Sequence, residues 1–213
     1  SQSGEGRGIF TRGRRIPSNL DEIKQSFSFP SWKGPSLINK ITSRLISSMY
    51  FHQKVKSNSA TVNEYSHYFP LDAINHWNRA YGHHGFFQFQ CVLPTACEVP
   101  AASELLKIIK KSREGTFLTV IKSFGEKHSG GLLSFPIPGI TIAIDFANRG
   151  ISTHALLINM TSIVRQAKGS IYLAKDSVMS KSDFQEFYPN WQEFEMLRDK
   201  AISSDLSRRL LSW

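Results

Sequence analysis

The sequence predicts an α+β fold. It reads as a ferredoxin-like split βαβ, an antiparallel-rich sheet with its helices on one face, followed by a helical C-terminal tail. Three observations lead there. First, residues 86–175 run strand, helix, strand, strand, helix, strand, which is the element order of that fold. Second, two of these strands alternate cleanly with period two, and both helices carry stripes at helical spacing. Third, the 213 residues are 40% hydrophobic and 12% aromatic, enough to bury a real core and to set aside a disordered chain.

The N-terminal part is less regular. Residues 1–19 are punctuated by Gly, Arg and Pro and read as a linker or entry strand. Ser18 with Asp21 signals a capping box for a short helix over 20–27. Pro30, Gly34 and Pro35 make the next stretch a loop. Leu37, Ile41, Leu45 and Met49 share one helical face, so a helix capped by Ser36 should run to Val55. A polar loop follows, then an extended piece over 67–70, because the residue before a proline avoids the helical region. Asp72 then caps a short helix carrying Ile74, Trp77 and Tyr81.

The middle is clearer. In the strand Phe86 to Leu93, Phe87, Phe89, Cys91 and Leu93 face one side; Phe86, Gln88, Gln90 and Val92 face the other. A helix over 98–113 has Ala102, Leu105, Leu106 and Ile109 as its stripe. Residues 117–124 form a strand and 130–139 a Gly/Pro loop. In the next strand Ile140, Ile142, Ile144 and Phe146 oppose Thr141, Ala143 and Asp145. The second helix spans 152–168, capped by Ser152, striped by Leu156, Met160 and Ile163, and stopped by Gly169. Residues 170–175 make a last strand. The tail reads as two or three short helices marked by Ser182, Trp191, Phe194, Leu197, Leu206, Leu210 and Leu211.

The net charge of +9 favours acidic partners: phosphates, nucleic acid or an anionic membrane surface. Cys91 and Cys97 match no metal spacing and read as free, buried thiols. No apolar run reaches the length of a membrane span, and no signal-peptide h-region opens the chain. The absent initial Met reads as a fragment of something longer. His83 and His84 lack carboxylate or thiol neighbours and read as turn residues; no metal site is expected.

Several polar residues stand out. Gln88 and Gln90 can grip sugar hydroxyls, since an amide both donates and accepts; they can equally be a solvated strand face. Lys122 and Lys175 sit among apolar strand residues and can hold an anion or a hydroxyl about to lose its proton, or simply snorkel at a rim. Tyr172 and Asp176 flank Lys175 closely enough to tune it. Strand spacing, however, sends Tyr172 and Lys175 to opposite faces unless the strand breaks between them. Asp145 can be a base or a backbone cap. No nucleotide-binding, P-loop or nucleophile-elbow motif occurs.

Longer stretches carry a resemblance. YFPLDAINHWNRAYG (68–82), GFFQFQCVLP (85–94), LSFPIPGITIAIDF (133–146), YLAKDS (172–177) and SDLSRRL (204–210) resemble the C-terminal half of FAD-linked oxidases of the vanillyl-alcohol-oxidase type. Within that family they are closest to oxidases of polyprenyl-phosphate-linked sugars, beside aldonolactone and alditol oxidases. The opening GRGIFTRGR is similar to the end of their flavin domain.

The resemblance implies three segments: 1–17 ending a flavin-domain segment, 18–169 a substrate (cap) domain, and 170–213 a returning FAD-domain segment. It implies FAD, held mainly by a lobe outside this chain, and hydride removal from a secondary alcohol of a sugar or lipid-linked sugar. The implied catalytic residues are Lys175 and Tyr172. The implied substrate contacts are Gln88, Gln90, Lys122, Phe124 as wall, Thr141 and Asp145. Ile140, Thr141 and Ala143 stand where mycobacterial members tend to have Trp, Asn and Cys, which opens the substrate to a difference. The implied partners are the sugar substrate, the FAD-binding lobe and a peripheral membrane contact. The implied location is the cytoplasm or the membrane periphery of a bacterium. The competing class is a basic ferredoxin-like nucleic-acid-binding module, which stacks bases on sheet-face aromatics.

Overall fold

The computed structural model describes residues 9–17, 27–55, 61–63, 67, 69, 74–112, 114–127 and 129–211. The helix expected over 20–27 lies almost wholly outside the described residues, as do Asp72 and the proline that ends the extended piece. The chain divides into two compact units, residues 1–86 and 87–213.

In the first unit, β1 (Phe27–Ser28) pairs in parallel with β2 (Ile74–Asn75). Ile74 is thus a strand residue and not part of a helix; the turn of 3₁₀ helix begins only at Trp77 and ends at Tyr81. His76 separates the two with φ 58, a left-handed conformation that no helix continues through. Tyr81 is buried and stacks on Phe86, ring centroids 4.5 Å apart.

Helix α1 spans Lys40–Val55, starting later than predicted. Its cap is Asn39, whose side-chain oxygen accepts the backbone N–H groups of Ile41 and Thr42, two of the donors a helix start leaves orphaned. The Ser36 hydroxyl is spent instead on the N–H of Ile38. The predicted stripe is real as a pattern but is not a core face: Ile41 is 73% exposed and Met49 72%.

The second unit has the predicted order: β3 (Phe86–Pro94), α2 (Glu98–Lys111), β4 (Thr116–Phe124), β5 (Gly139–Ala147), α3 (Ile151–Gln166) and β6 (Ser170–Ile171). The strands lie in the order β4-β5-β3-β6. β4 pairs antiparallel with β5, and β3 with β6. Each βαβ crossover therefore skips one strand, which is the split βαβ arrangement. Gly139 permits the close packing of β5 on β3: its φ is 146, and a Cβ there would lie 2.0 Å from the Leu93 carbonyl oxygen.

Both helices cover one sheet face. Phe89, Cys91, Leu93, Ile142, Ile144 and Phe146 from the strands meet Ala101 and Leu105 of α2 and Leu156, Leu157, Met160 and Val164 of α3. Each fully buried aliphatic side chain contributes roughly 1.5–3 kcal/mol. Leu106 is 47% exposed and leaves the predicted stripe; Ala101 and Ile108 take its place on the packed side.

The ends of α3 also differ from expectation. Ser152 is not the cap, because it already lies inside the helix behind Gly150. Its hydroxyl donates to Glu114 instead. At the other end Lys168, not Gly169, takes the left-handed conformation, φ 53. The Lys168 N–H bonds to the Arg165 carbonyl and the Gly169 N–H to the Val164 carbonyl, a Schellman closure. Gly169 is needed for proximity: a Cβ would lie 2.2 Å from the Val92 oxygen.

Strand β6 stops at Ile171, and Leu173–Lys175 turn as 3₁₀ helix. The predicted strand over 170–175 is thus broken halfway. Three tail helices follow: α4 (Lys181–Phe187), α5 (Trp191–Leu197) and α6 (Asp205–Leu210). Ser180, not Ser182, caps α4 in a capping box with Asp183. Phe184, Phe187, Tyr188, Leu210 and Leu211 join the same core as the sheet. Leu197 does not; it is exposed.

Candidate functional site

The sheet face opposite the helices carries the polar residues. Along β5, Thr141, Ala143 and Asp145 point there because Ile142, Ile144 and Phe146 are committed to the core. Register then fixes β4: Lys122 sits opposite Thr141 and Val120 opposite Ala143, and opposed residues share a face. On β3, Gln88 and Gln90 alternate with the buried Phe89 and Cys91.

The two glutamines are held, not merely solvated. The Gln88 amide donates to Asp145 Oδ1 at 2.9 Å. The Gln90 amide donates to the Thr141 hydroxyl at 3.1 Å, and that hydroxyl donates to the Cys91 carbonyl at 2.9 Å. The Gln90 backbone carbonyl accepts the Tyr172 backbone N–H at 2.8 Å. This last bond ties β3 to the segment bearing Lys175. The break after Ile171 then turns Lys175 back over the sheet, which an unbroken strand would prevent.

A pocket of about 100 Å³ results, lined by Gln90, Val120, Lys122, Thr141, Ala143 and Lys175. Four predicted site residues meet in it: Gln90, Lys122, Thr141 and Lys175. Gln88 and Asp145 form a pair beside it on the same face. Phe124 and Tyr172 do not line it. Their rings flank Phe135, at 6.0 Å and 5.1 Å between centroids, forming an aromatic row. Val120 and Ala143 belong to the pocket although sequence reasoning passed over them; the strand alternation that selected Lys122 and Thr141 was the signal for both. Phe135 lies in a Gly/Pro loop, where no periodicity marks it.

The charges are unevenly matched. Neither the Lys122 nor the Lys175 ammonium has a hydrogen-bond or ion-pair partner among the described residues. Asp145 is 3% exposed, and its Oδ2 is buried with no hydrogen-bond partner among the described residues. Burial pushes its pKa above the ordinary value, while the Gln88 bond and the Lys175 charge hold it back. Asp176 is engaged away from Lys175: its carboxylate accepts the N–H groups of Val178 and Met179 and pairs with Arg209 at 2.7 Å. The pocket thus offers two cations, an amide and a hydroxyl, with a buried carboxylate alongside. That set suits a polyhydroxylated or anionic ligand and the handling of a hydroxyl proton.

Other candidate sites carry less. His83 and His84 are turn residues, and His83 Nδ1 bonds to the Gly34 carbonyl. Among the described residues no group of three or more His, Cys, Asp or Glu can hold a metal ion. No helix among them is long and apolar enough to cross a membrane. Both cysteines are free; Cys91 is buried and its pKa is pushed up to about 12, while Cys97 is only partly buried. Phe89 is buried and Phe87 packs against the core, so the β3 aromatics are not available to stack bases.

Over 96% of its length the chain is 32% identical to the decaprenylphosphoryl-beta-D-ribose oxidase of Mycolicibacterium smegmatis. The resemblance carried by the sequence stretches is to this oxidase. An uncharacterized protein in the mprA 5'region of Streptomyces coelicolor is 29% identical over 59% of the chain. The chain spans 46% of the first relative and 35% of the second, about half or less of the length of the curated relatives it matches. No protein-family model matches it.

Proposed function

We propose that this chain is the substrate-facing part of an FAD-dependent oxidoreductase that oxidises a secondary alcohol of a sugar or a polyprenyl-phosphate-linked sugar. The observation that carries this reading is the pocket in which Lys122 and Lys175, both without an ion-pair partner among the described residues, face Gln90 and Thr141. The similarity to a decaprenylphosphoryl-beta-D-ribose oxidase over nearly the whole chain supports it.

The residues present fit one hydroxylated or anionic group of a ligand, not a whole dinucleotide. A pocket of about 100 Å³ takes one polar group of a ligand, and no G-x-G-x-x-G stretch for a pyrophosphate occurs. When bound, the flavin would accept the hydride from the alcohol carbon. This chain's residues orient and discharge. Lys175 holds the reacting hydroxyl oxygen and stabilises its developing negative charge. Asp145, buried beside the pocket, anchors the polar face through the bond that its Oδ1 accepts from Gln88. Gln88 fixes that carboxylate, Gln90 and Thr141 bind neighbouring hydroxyls, and Lys122 binds an anionic or hydroxylated part of the substrate. Phe124, Phe135 and Tyr172 form the apolar wall, with the Tyr172 hydroxyl at its polar end. In this reading residues 1–17 end a flavin-domain segment, 18–169 form the substrate domain and 170–213 return to the flavin domain. Since 170–211 share the core of 87–169, the second boundary runs through one packed core. The relatives' organisms favour a bacterial source.

The test uses the full-length protein that contains this chain. We expect it to carry flavin absorbance and to bleach when mixed anaerobically with a polyprenyl-phosphate sugar or an aldonolactone. Lys175→Ala should keep the flavin content and lose the bleaching by at least about a hundredfold, the scale of one electrostatic contact to a developing oxyanion. A colourless full-length protein, or unaltered bleaching in Lys175→Ala, would overturn the assignment. Tight, salt-sensitive RNA binding with no flavin would instead favour the nucleic-acid class.

A further inference from the structure

We infer that the open edge of the second unit's sheet is a homodimer interface, where β4 pairs antiparallel with β4 of a second copy of this chain. The inference is independent of the flavin reading. β4 ends the strand order, and among the described residues its only strand partner is β5. Its outer row of backbone N–H and C=O groups is therefore open to another strand. Monomeric proteins blunt such an edge with proline, bulges or charges. β4 reads TFLTVIKSF, with no proline, no glycine and no carboxylate. Its one charge, Lys122, lines the pocket with Thr141 of β5 and Gln90 of β3, on the inner side of the strand. Pairing with β5 runs unbroken from Thr119 to Phe124, so the outer side offers an equally regular ladder. Ile121 adds an apolar reason. It opposes Ile142, yet it is 56% exposed where Ile142 is buried.

Symmetry then fixes the register. A two-fold axis that makes two edge strands antiparallel within one sheet stands perpendicular to that sheet, so opposed residues share a face and one residue opposes itself. With Ile121 on the axis, Ile121 meets Ile121, Lys122 meets Val120, Ser123 meets Thr119 and Phe124 meets Leu118. Apolar meets apolar, hydroxyl meets hydroxyl, and the lysine stem lies over valine; pairs of this kind stabilise a sheet. With Val120 on the axis, Ile121 would face Thr119 and Phe117 would face Ser123. With Lys122 on it, two ammonium groups would be opposed, which destabilises. This self-complementarity selects a second copy over an unrelated strand. Two four-stranded sheets become one, with all its helices on one face and both pockets opening on the other.

The test measures the mass of the full-length protein that contains this chain, by sedimentation equilibrium over a concentration series. A dimer is expected. Ile121→Asp, which sets two carboxylates face to face on the axis, should return the mass to that of one chain. The circular dichroism spectrum should not change, because Ile121 is exposed. Cysteine crosslinking reads the register. Ile121→Cys should form an intermolecular disulfide under mild oxidation, since self-opposed residues stand about 4.5–5.5 Å apart between Cα atoms, within disulfide reach. Ser123→Cys alone should not, because its two copies are offset by four residues, about 13 Å along the strands. Thr119→Cys mixed with Ser123→Cys should crosslink, and the parent protein sets the background. A monomer at every concentration, as when a strand from elsewhere in the full-length protein covers this edge, would overturn the inference. A dimer that survives Ile121→Asp, or Ser123→Cys crosslinking as readily as Ile121→Cys, would overturn it as well.

Discussion

Replacing the buried carboxylate of the site with its amide, Asp145→Asn, should stabilise the folded chain at neutral pH. Asp145 is 3% exposed, yet among the described residues only Oδ1 has a partner, the Gln88 amide. Leaving a buried polar atom without a partner costs about 1–3 kcal/mol. Asparagine keeps the Gln88 bond through its own oxygen, and its NH2 takes the place of Oδ2 equally unpartnered, so what it removes is the buried charge, the costlier part of that desolvation, while it forfeits the attraction of Lys175. A net gain of about 1 kcal/mol is therefore expected, or about 2–4 °C in melting temperature for a chain of this size. The pH dependence follows from the direction of the pKa shift. Burial raises the carboxyl above its ordinary 3.8, so the folded chain holds that proton more tightly than the unfolded one. Stability then falls as pH rises from 3.8 through the raised folded value, and the whole penalty is present above it. The advantage of Asp145→Asn should be full at about pH 8 and absent at about pH 3.5, read by thermal melts followed by circular dichroism. A variant less stable than the parent at the higher pH, or one with the same difference at both, would refute the desolvation reasoning.

Three further outcomes are expected. Gly169→Ala should destabilise by about 1–3 kcal/mol in urea melts, since its Cβ meets the Val92 oxygen and neither backbone can yield freely. Thiol titration at neutral pH should modify Cys97 alone in the native chain and both cysteines in denaturant, because Cys91 is buried and its pKa lies near about 12. Arg209→Leu should cost about 2 kcal/mol in the same urea melts, by leaving the Asp176 carboxylate, whose side chain is 1% exposed, without its countercharge.

The sheet was legible because its strands obey a strict alternation. Ile142, Ile144 and Phe146 could only face a core, and that decided where Thr141 and Asp145 point. Element order then narrowed the topology, since two right-handed crossovers with an intervening hairpin leave few strand orders. Helix ends were less legible. Ser36, Ser152 and Ser182 are all good caps by composition, but Asn39, Gly150 and Ser180 hold the cap positions. A cap depends on where the chain enters the helix, and boundaries of that precision are set by neighbours. The site was half legible. Gln90, Lys122, Thr141 and Lys175 could be nominated as polar residues on or beside strands. That they line one pocket required the β4–β5 register and the turn after Ile171. That Asp176 is occupied required Arg209, 33 residues away.

By itself, then, the sequence determined which residues alternate and which faces are apolar, because these properties are local and periodic. The tertiary structure alone decided which apolar faces are covered. The stripes of α2 and α3 are buried against the sheet, and that of α1 is not, although all three look alike in one dimension. Periodicity reports that a face exists; burial depends on what the rest of the chain brings against it. The same holds for the carboxylates. Asp145 and Asp176 are both acids beside candidate site residues, but only the fold buries one with an oxygen that no described residue partners and gives the other an arginine.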